Sequence, residues 1–125
     1  MKKAKLLAVV IAALVMYACG SSAAVYNPST PVRNKNITQI EDAIYKVCAK
    51  IGWKAQKISD GTIEATLYTR EHIAIVHILY AENGYTIKYF DSTKLNYSEK
   101  NGTIHGNYNR WVDRLDRNIA AALAE

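Results

Sequence analysis

The sequence predicts an α+β fold: a two-layer domain of one helix, a four-stranded antiparallel meander and a second helix. Three features predict it. Apolar residues recur at three- and four-residue steps over 38–51 and again over 107–123. Between these stretches, runs alternate apolar and polar residues, the pattern of strands with one buried face. Asp60-Gly61 and Asn83-Gly84 separate those runs, and such pairs close tight hairpins.

Thr38–Ile51 reads as the first helix. Thr38-Gln39-Ile40-Glu41 is a capping box: the Thr38 hydroxyl accepts from the Glu41 amide and the Glu41 carboxylate reaches back. Ile40, Ile44, Val47, Cys48 and Ile51 share one face. Lys46 and Lys50 suit the negative end of the helix, and Gly52 supplies a left-handed stop.

Trp53–Ser59 and Thr62–Tyr68 flank the first turn pair, and His72–Ala81 and Tyr85–Asp91 flank the second. Two-residue type I′ turns set the register, each central residue taking positive φ. Ile58 is expected opposite Ile63, and Lys57 opposite Glu64 as an ion pair. Tyr80 is expected opposite Ile87, and Ile78 opposite Tyr89. Arg70-Glu71 is poor turn chemistry, but a two-residue turn there sets Leu67 opposite Ala74 and Ala65 opposite Val76. One face then carries Ile58, Ile63, Ala65, Leu67, Val76, Ile78, Tyr80, Ile87 and Tyr89 under the helices.

Ser92–Gly106 is a polar loop with an Asn101-Gly102 turn, with room for a short hairpin. Asn107 caps a second helix that runs to about Leu123. Tyr108, Trp111, Val112, Leu115, Ile119 and Leu123 make its stripe, with Trp111 packed on the sheet. Asp113 and Arg117 form an i,i+4 pair on the outer side. Asp113 and Asp116 stand among Arg110, Arg114 and Arg117 as a solvated face.

The first residues follow a different plan. Lys2, Lys3 and Lys5 make a positive start, Leu6–Ala18 carries no charge, and small Ala18 precedes Cys19. A membrane-spanning helix needs roughly 20 apolar residues. The run Leu6–Ala18 is shorter, about thirteen residues, and residues 1–18 read as a signal peptide. Met16-Tyr17-Ala18-Cys19-Gly20 resembles the bacterial lipobox, with Met16 where Leu is usual and a bulky Tyr17. The resemblance implies cleavage before Cys19 and lipid on its thiol, which anchors the chain at about 0.8 kcal/mol per buried methylene. In lipoproteins of two-membrane bacteria, Asp after the cysteine signals retention. Gly20 stands there, so the resemblance implies the outer membrane, facing the periplasm. Residues 19–36, rich in Ser, Asn and Pro, read as the lipidated cysteine and a flexible tether of roughly 20–25 Å. The α+β domain is then 37–125.

The run from Ile104-His105-Gly106-Asn107-Tyr108-Asn109-Arg110-Trp111-Val112 to Asp113-Arg114-Leu115-Asp116-Arg117-Asn118-Ile119 resembles the C-terminal signature of small bacterial lipoproteins of uncharacterised function. That resemblance implies a fold and an anchor, and no chemistry.

The net charge of +5 arises from 16 Lys and Arg against 11 Asp and Glu. Three of those lysines lie in the signal and no acid does, leaving 13 against 11, or +2, for the rest. That is no footprint for nucleic acid. With Cys19 lipidated, Cys48 is the single thiol; it reads as buried and structural. His72 and His77 are five apart and so point to opposite faces of a strand. Neither they nor His105 have a spacing that points to a metal or a cofactor. No Gly-x-Ser-x-Gly or glycine-rich phosphate loop occurs.

The predicted register sends Trp53, Tyr68, Ile73, Ile75, His77, Leu79 and Phe90 to the far face of the sheet, with Thr66, Thr86 and Lys88 between them. A solvated sheet face is mostly polar, and this one is not. Either the chain covers it with Val25-Tyr26 or Leu95-Tyr97, or it docks a second copy or another envelope protein. The candidate partner surface is Trp53, Tyr68, Ile75, His77, Leu79, Lys88 and Phe90. The functional expectation is a membrane-anchored, non-enzymatic envelope binding or assembly component. The alternative is a small-ligand binding module in the periplasm, with a pocket lined by Tyr80, Tyr89 and Trp111.

Overall fold

The structure is a computed structural model that describes residues 22–125. Cys19 and the signal peptide lie outside the described residues. The elements in order are β1 (Ala23–Ala24), β2 (Ser29–Pro31), α1 (Ile37–Ile51), β3 (Trp53–Ser59), β4 (Thr62–Thr69), β5 (His72–Ala81), β6 (Gly84–Thr93), β7 (Thr103–Ile104) and α2 (Gly106–Leu123). The fold is α+β. An antiparallel sheet has the order β2-β6-β5-β4-β3, and β1 pairs with β7 in a separate ribbon. Ile40, Ile44 and Val47 of α1 and Val112, Leu115 and Ile119 of α2 join one core with Ile63, Val76, Ile78 and Ile87 of the sheet.

The sheet has five strands where four were expected, and the fifth comes from the stretch read as a tether. Ser29, Thr30 and Pro31 face Thr86, Tyr85 and Gly84 across the β2–β6 pair. An edge position accommodates Pro31, which has no amide to donate. The bonds that hold this stretch reach far along the chain, so its polar composition conceals them. The Ile87 amide donates to the Pro28 carbonyl at 2.9 Å, and the Tyr89 amide to Asn27 Oδ1 at 2.8 Å. Asn109 grips the backbone twice, donating to the Ala24 carbonyl at 2.8 Å and accepting from the Tyr26 amide at 3.0 Å. Val25 and Val32 pack against the core. Gly84 lets β2 approach: a Cβ there would lie 2.6 Å from the Thr30 carbonyl oxygen.

The first helix is capped by different residues from those expected. Asn36 Oδ1 accepts from the Gln39 amide, and Gln39 Oε1 accepts from the Asn36 amide, both at 2.8 Å. This capping box starts two residues before Thr38 and leaves Glu41 free for other partners. Gly52 closes the helix as predicted, with φ 95° and its amide donating to the Cys48 carbonyl. In α2 the cap is His105 rather than Asn107: His105 Nδ1 accepts from the Asn107 amide at 3.1 Å.

The β3–β4 register differs from the predicted one by a single residue, with large effect. Ser59 faces Thr62, as a two-residue turn requires, but β3 bulges at Ile58, so Lys57 faces Ile63. A one-residue shift exchanges the faces of a strand. Trp53 therefore faces Leu67 and is buried in the core, while Ile58 is 48% exposed. The expected Lys57–Glu64 pair does not form: Glu64 lies opposite His77, and Lys57 reaches Glu41 of α1 at 3.2 Å. Gly61 takes φ 76° but Asp60 does not take positive φ, so the turn is not type I′.

The other two links keep their faces. Arg70 takes φ 53°, and Leu67 faces Ala74 and Ala65 faces Val76 as predicted. The β5–β6 turn is Glu82-Asn83, so Ile78 faces Ile87 and Val76 faces Tyr89. This register is two residues from the predicted one, which preserves the alternation. A second bulge falls at Phe90, between the Val76–Tyr89 and Ile75–Asp91 pairs.

Candidate partner surface

The outer sheet face is built in rows across β4, β5 and β6. Tyr68 faces Ile73, Thr66 faces Ile75, and Thr62 faces Leu79. His77 sits between Glu64 on one side and Lys88 on the other. The face exposes large apolar side chains: Tyr68 is 59%, Phe90 54% and Leu79 41% accessible. Ile75 and His77 are half-buried between them.

Polar contacts hold the rows in place. His77 Nε2 lies 2.9 Å from Glu64 Oε2. The His77 ring stacks on Phe90 with centroids 3.9 Å apart. Lys54 Nζ stands 5.3 Å from the Tyr68 ring centroid, a cation over an aromatic face. Lys88 is exposed and forms no ion pair among the described residues.

Six of the seven predicted surface residues come together here. Trp53 does not. The β3 bulge turns it to the helix side, where it is 4% exposed. Ile58, at the bulge, is instead 48% exposed, and nothing in the local sequence marks the bulge, because Asp60-Gly61 argues for an unbroken hairpin. Neither segment considered as a cover lies over the face. Val25 packs on the core, and Tyr26 is bound to Asn109. Leu95 is a core residue, and Tyr97 stacks on Tyr89, their centroids 4.0 Å apart, on the helix side of the sheet.

On the helix side Glu41, Tyr80, Tyr85 and Asp116 are engaged in structural bonds, while the buried Tyr108 hydroxyl has no hydrogen-bond partner among the described residues. Tyr80 Oη donates to Glu41 Oε2. That bond, then the Lys57 ammonium, holds the Glu41 carboxyl below its ordinary value. Burial first, and Glu41 second, push the Tyr80 phenol up. Asp116 accepts from Tyr85 Oη and from Thr30 Oγ1, both at 2.7 Å. It is thus a bolt between α2, β6 and β2 rather than part of a solvated face. Its role was hidden because its partner Thr30 lies in the supposed tether. Burial pushes the Cys48 thiol up to about 12, which leaves it inert.

Tyr80, Tyr89 and Trp111 each have separate partners. Tyr80 is tied to Glu41, Tyr89 donates to or accepts from Ser92 Oγ, and Trp111 lies 6.2 Å from the His72 ring. Trp111 is half-buried, while Tyr108 and Leu115 are fully buried on the same helix. His72 Nδ1 contacts the Lys94 carbonyl at 3.0 Å, and His105 is spent as a helix cap. Among the described residues no group of three His, Cys, Asp or Glu is placed to hold a metal ion. Among them, too, no helix is long and apolar enough to cross a membrane. Compared with known families and with curated proteins, the chain matches no family model and no curated relative.

Proposed function

We propose that this chain is a lipid-anchored envelope lipoprotein, a non-enzymatic binding or assembly component that recognises another protein through its outer sheet face. The observation that carries the reading is that Tyr68, Leu79 and Phe90, in different rows of the outer sheet face, are all exposed where the open face of a two-layer antiparallel fold should be polar. Half-exposed aromatic rings beside aliphatic side chains, with Lys54 and Lys88 at the edges, are the composition of a protein-binding patch. The lipobox-like run ending at Cys19 supports the anchor, and Gly20 supports sorting to the outer membrane.

Two measurements test this. Intact mass of the membrane-extracted protein should show an acylated Cys19 as the first residue, and Cys19→Ser should remain a precursor or become soluble. A photo-crosslinker placed at position 79 in intact envelopes should yield a discrete protein adduct. An adduct of two copies of this chain would assign the face to self-association, and no adduct would contradict the reading.

A further inference from the structure

The end of the domain where the chain enters is defined by β1. Ala23 faces Ile104 and Ala24 faces Thr103 in an antiparallel pair, so the chain enters beside His105 and the first turn of α2. From Cys19 to Ala23 there are four peptide steps, a reach of at most about 14 Å at full extension. If Cys19 carries the lipid, the fold begins almost at the membrane, and this end must lie against it.

The same end gathers aromatic and basic side chains. The His105 amide donates to the Leu95 carbonyl at 2.9 Å, and the neighbouring Lys94 carbonyl contacts His72, whose ring lies 6.2 Å from Trp111. Trp111 and Arg114 line one groove with Tyr68 and Thr69, which adjoin Arg70. Arg110 lines a second with Ala24 and Tyr26, on the entering chain itself. Arg70, Arg110 and Arg114 are exposed and form no ion pair among the described residues. The acids nearby are spent: Glu71 pairs with Lys94 at 3.2 Å and Asp113 with Arg117 at 3.0 Å.

We propose that this end, with Arg70, Arg110 and Arg114 around Trp111, seats directly on a bilayer that carries anionic headgroups. Tryptophan favours the headgroup level and unpaired arginines favour its negative potential. The seat rests on the anchored reading above. It would stand the strands away from the membrane and leave the outer sheet face open sideways to a partner.

The test uses the acylated protein in vesicles of phosphatidylcholine with or without phosphatidylglycerol, and a lipid bearing a headgroup-level quencher. The chain has two tryptophans, so Trp53→Phe leaves Trp111 as the reporter. If that variant does not fold, the unaltered protein serves, because Trp53 is 4% exposed and Trp111→Phe identifies the signal. Trp111 should be quenched in vesicles with phosphatidylglycerol. Arg70→Gln with Arg110→Gln and Arg114→Gln should lower the seated fraction at least roughly tenfold, at about fivefold for each arginine near an anionic surface. An acylated protein that floats with the vesicles while Trp111 stays unquenched overturns the seat and leaves the anchor standing. Equal quenching with and without phosphatidylglycerol, or in the triple variant, also overturns it. A chain that carries no acyl group on Cys19 fails the anchor reading, and the seat with it.

Discussion

His77 lies flat against Phe90 on the open side of the sheet, with ring planes 16° from parallel. The stack pins Phe90, a bulge residue, over a histidine that Glu64 already holds. Phe90 nonetheless stays 54% exposed, so its ring contributes little to folding. Phe90→Ala should lower the unfolding free energy, read from urea denaturation, by less than about 1 kcal/mol. A loss of several kcal/mol would show that the ring is core and not surface.

The bulge at Ile58 makes opposite predictions for two apolar residues of one strand. Trp53→Ala should cost about 3–5 kcal/mol, since it empties a buried site against Leu67. Ile58→Asp should stay within about 0.5 kcal/mol, as for other surface changes. Urea denaturation of both variants checks the pair. The reverse ranking would restore the unbulged hairpin.

Asp116 should matter more than its place among arginines suggests. Asp116→Ala takes the acceptor from the Thr30 hydroxyl and leaves the Tyr85 hydroxyl only the Asp116 backbone carbonyl, at 3.0 Å. A fully buried group left unpaired costs about 1–3 kcal/mol; Thr30 is part-buried and Tyr85 keeps one acceptor, so the loss should sit at or below the low end of that range. Amide exchange should also quicken at Tyr89 and Ile87, whose bonds to the Asn27–Pro28 stretch depend on β2 staying docked. Unchanged exchange there would mean that β2 is held without the bolt.

Glu41 links stability to acid pH. Its carboxyl is held below the ordinary value of 4.5 by the Tyr80 hydrogen bond and then by Lys57. A depressed value means the stabilisation is full above the ordinary value and is lost as pH falls through the lower folded one. Acid titration of the unfolding midpoint should therefore fall less steeply in Glu41→Gln than in the unaltered protein. Parallel acid limbs would remove Glu41 from the account.

The parts of this fold that were legible in sequence are those set by period and by local caps. The stripe of Ile40, Ile44, Val47 and Cys48, the Gly52 stop and the alternation through Val76, Ile78 and Tyr80 all carry their signal within a few residues. What was not legible depends on distant partners. β2 is a strand because Tyr85, Ile87 and Tyr89 lie some sixty residues on, as the pairing of Thr30 with Tyr85 shows. The Ile58 bulge reflects the demand of the core for Trp53, and no turn rule encodes that demand. Two bulges and a two-residue shift had unequal effects on the candidate surface. The shift of two kept Ile75, His77 and Leu79 outward; the shift of one took Trp53 away.

The most direct test of the outer face as a partner surface is Leu79→Glu combined with Phe90→Glu. Both residues are more than two-fifths exposed, so the circular dichroism and urea midpoint of the double variant should match those of the parent. Its crosslinked adduct in intact envelopes should disappear. A variant that keeps the adduct, or one that unfolds, would contradict the account, the first by placing the partner elsewhere and the second by making this face part of the core.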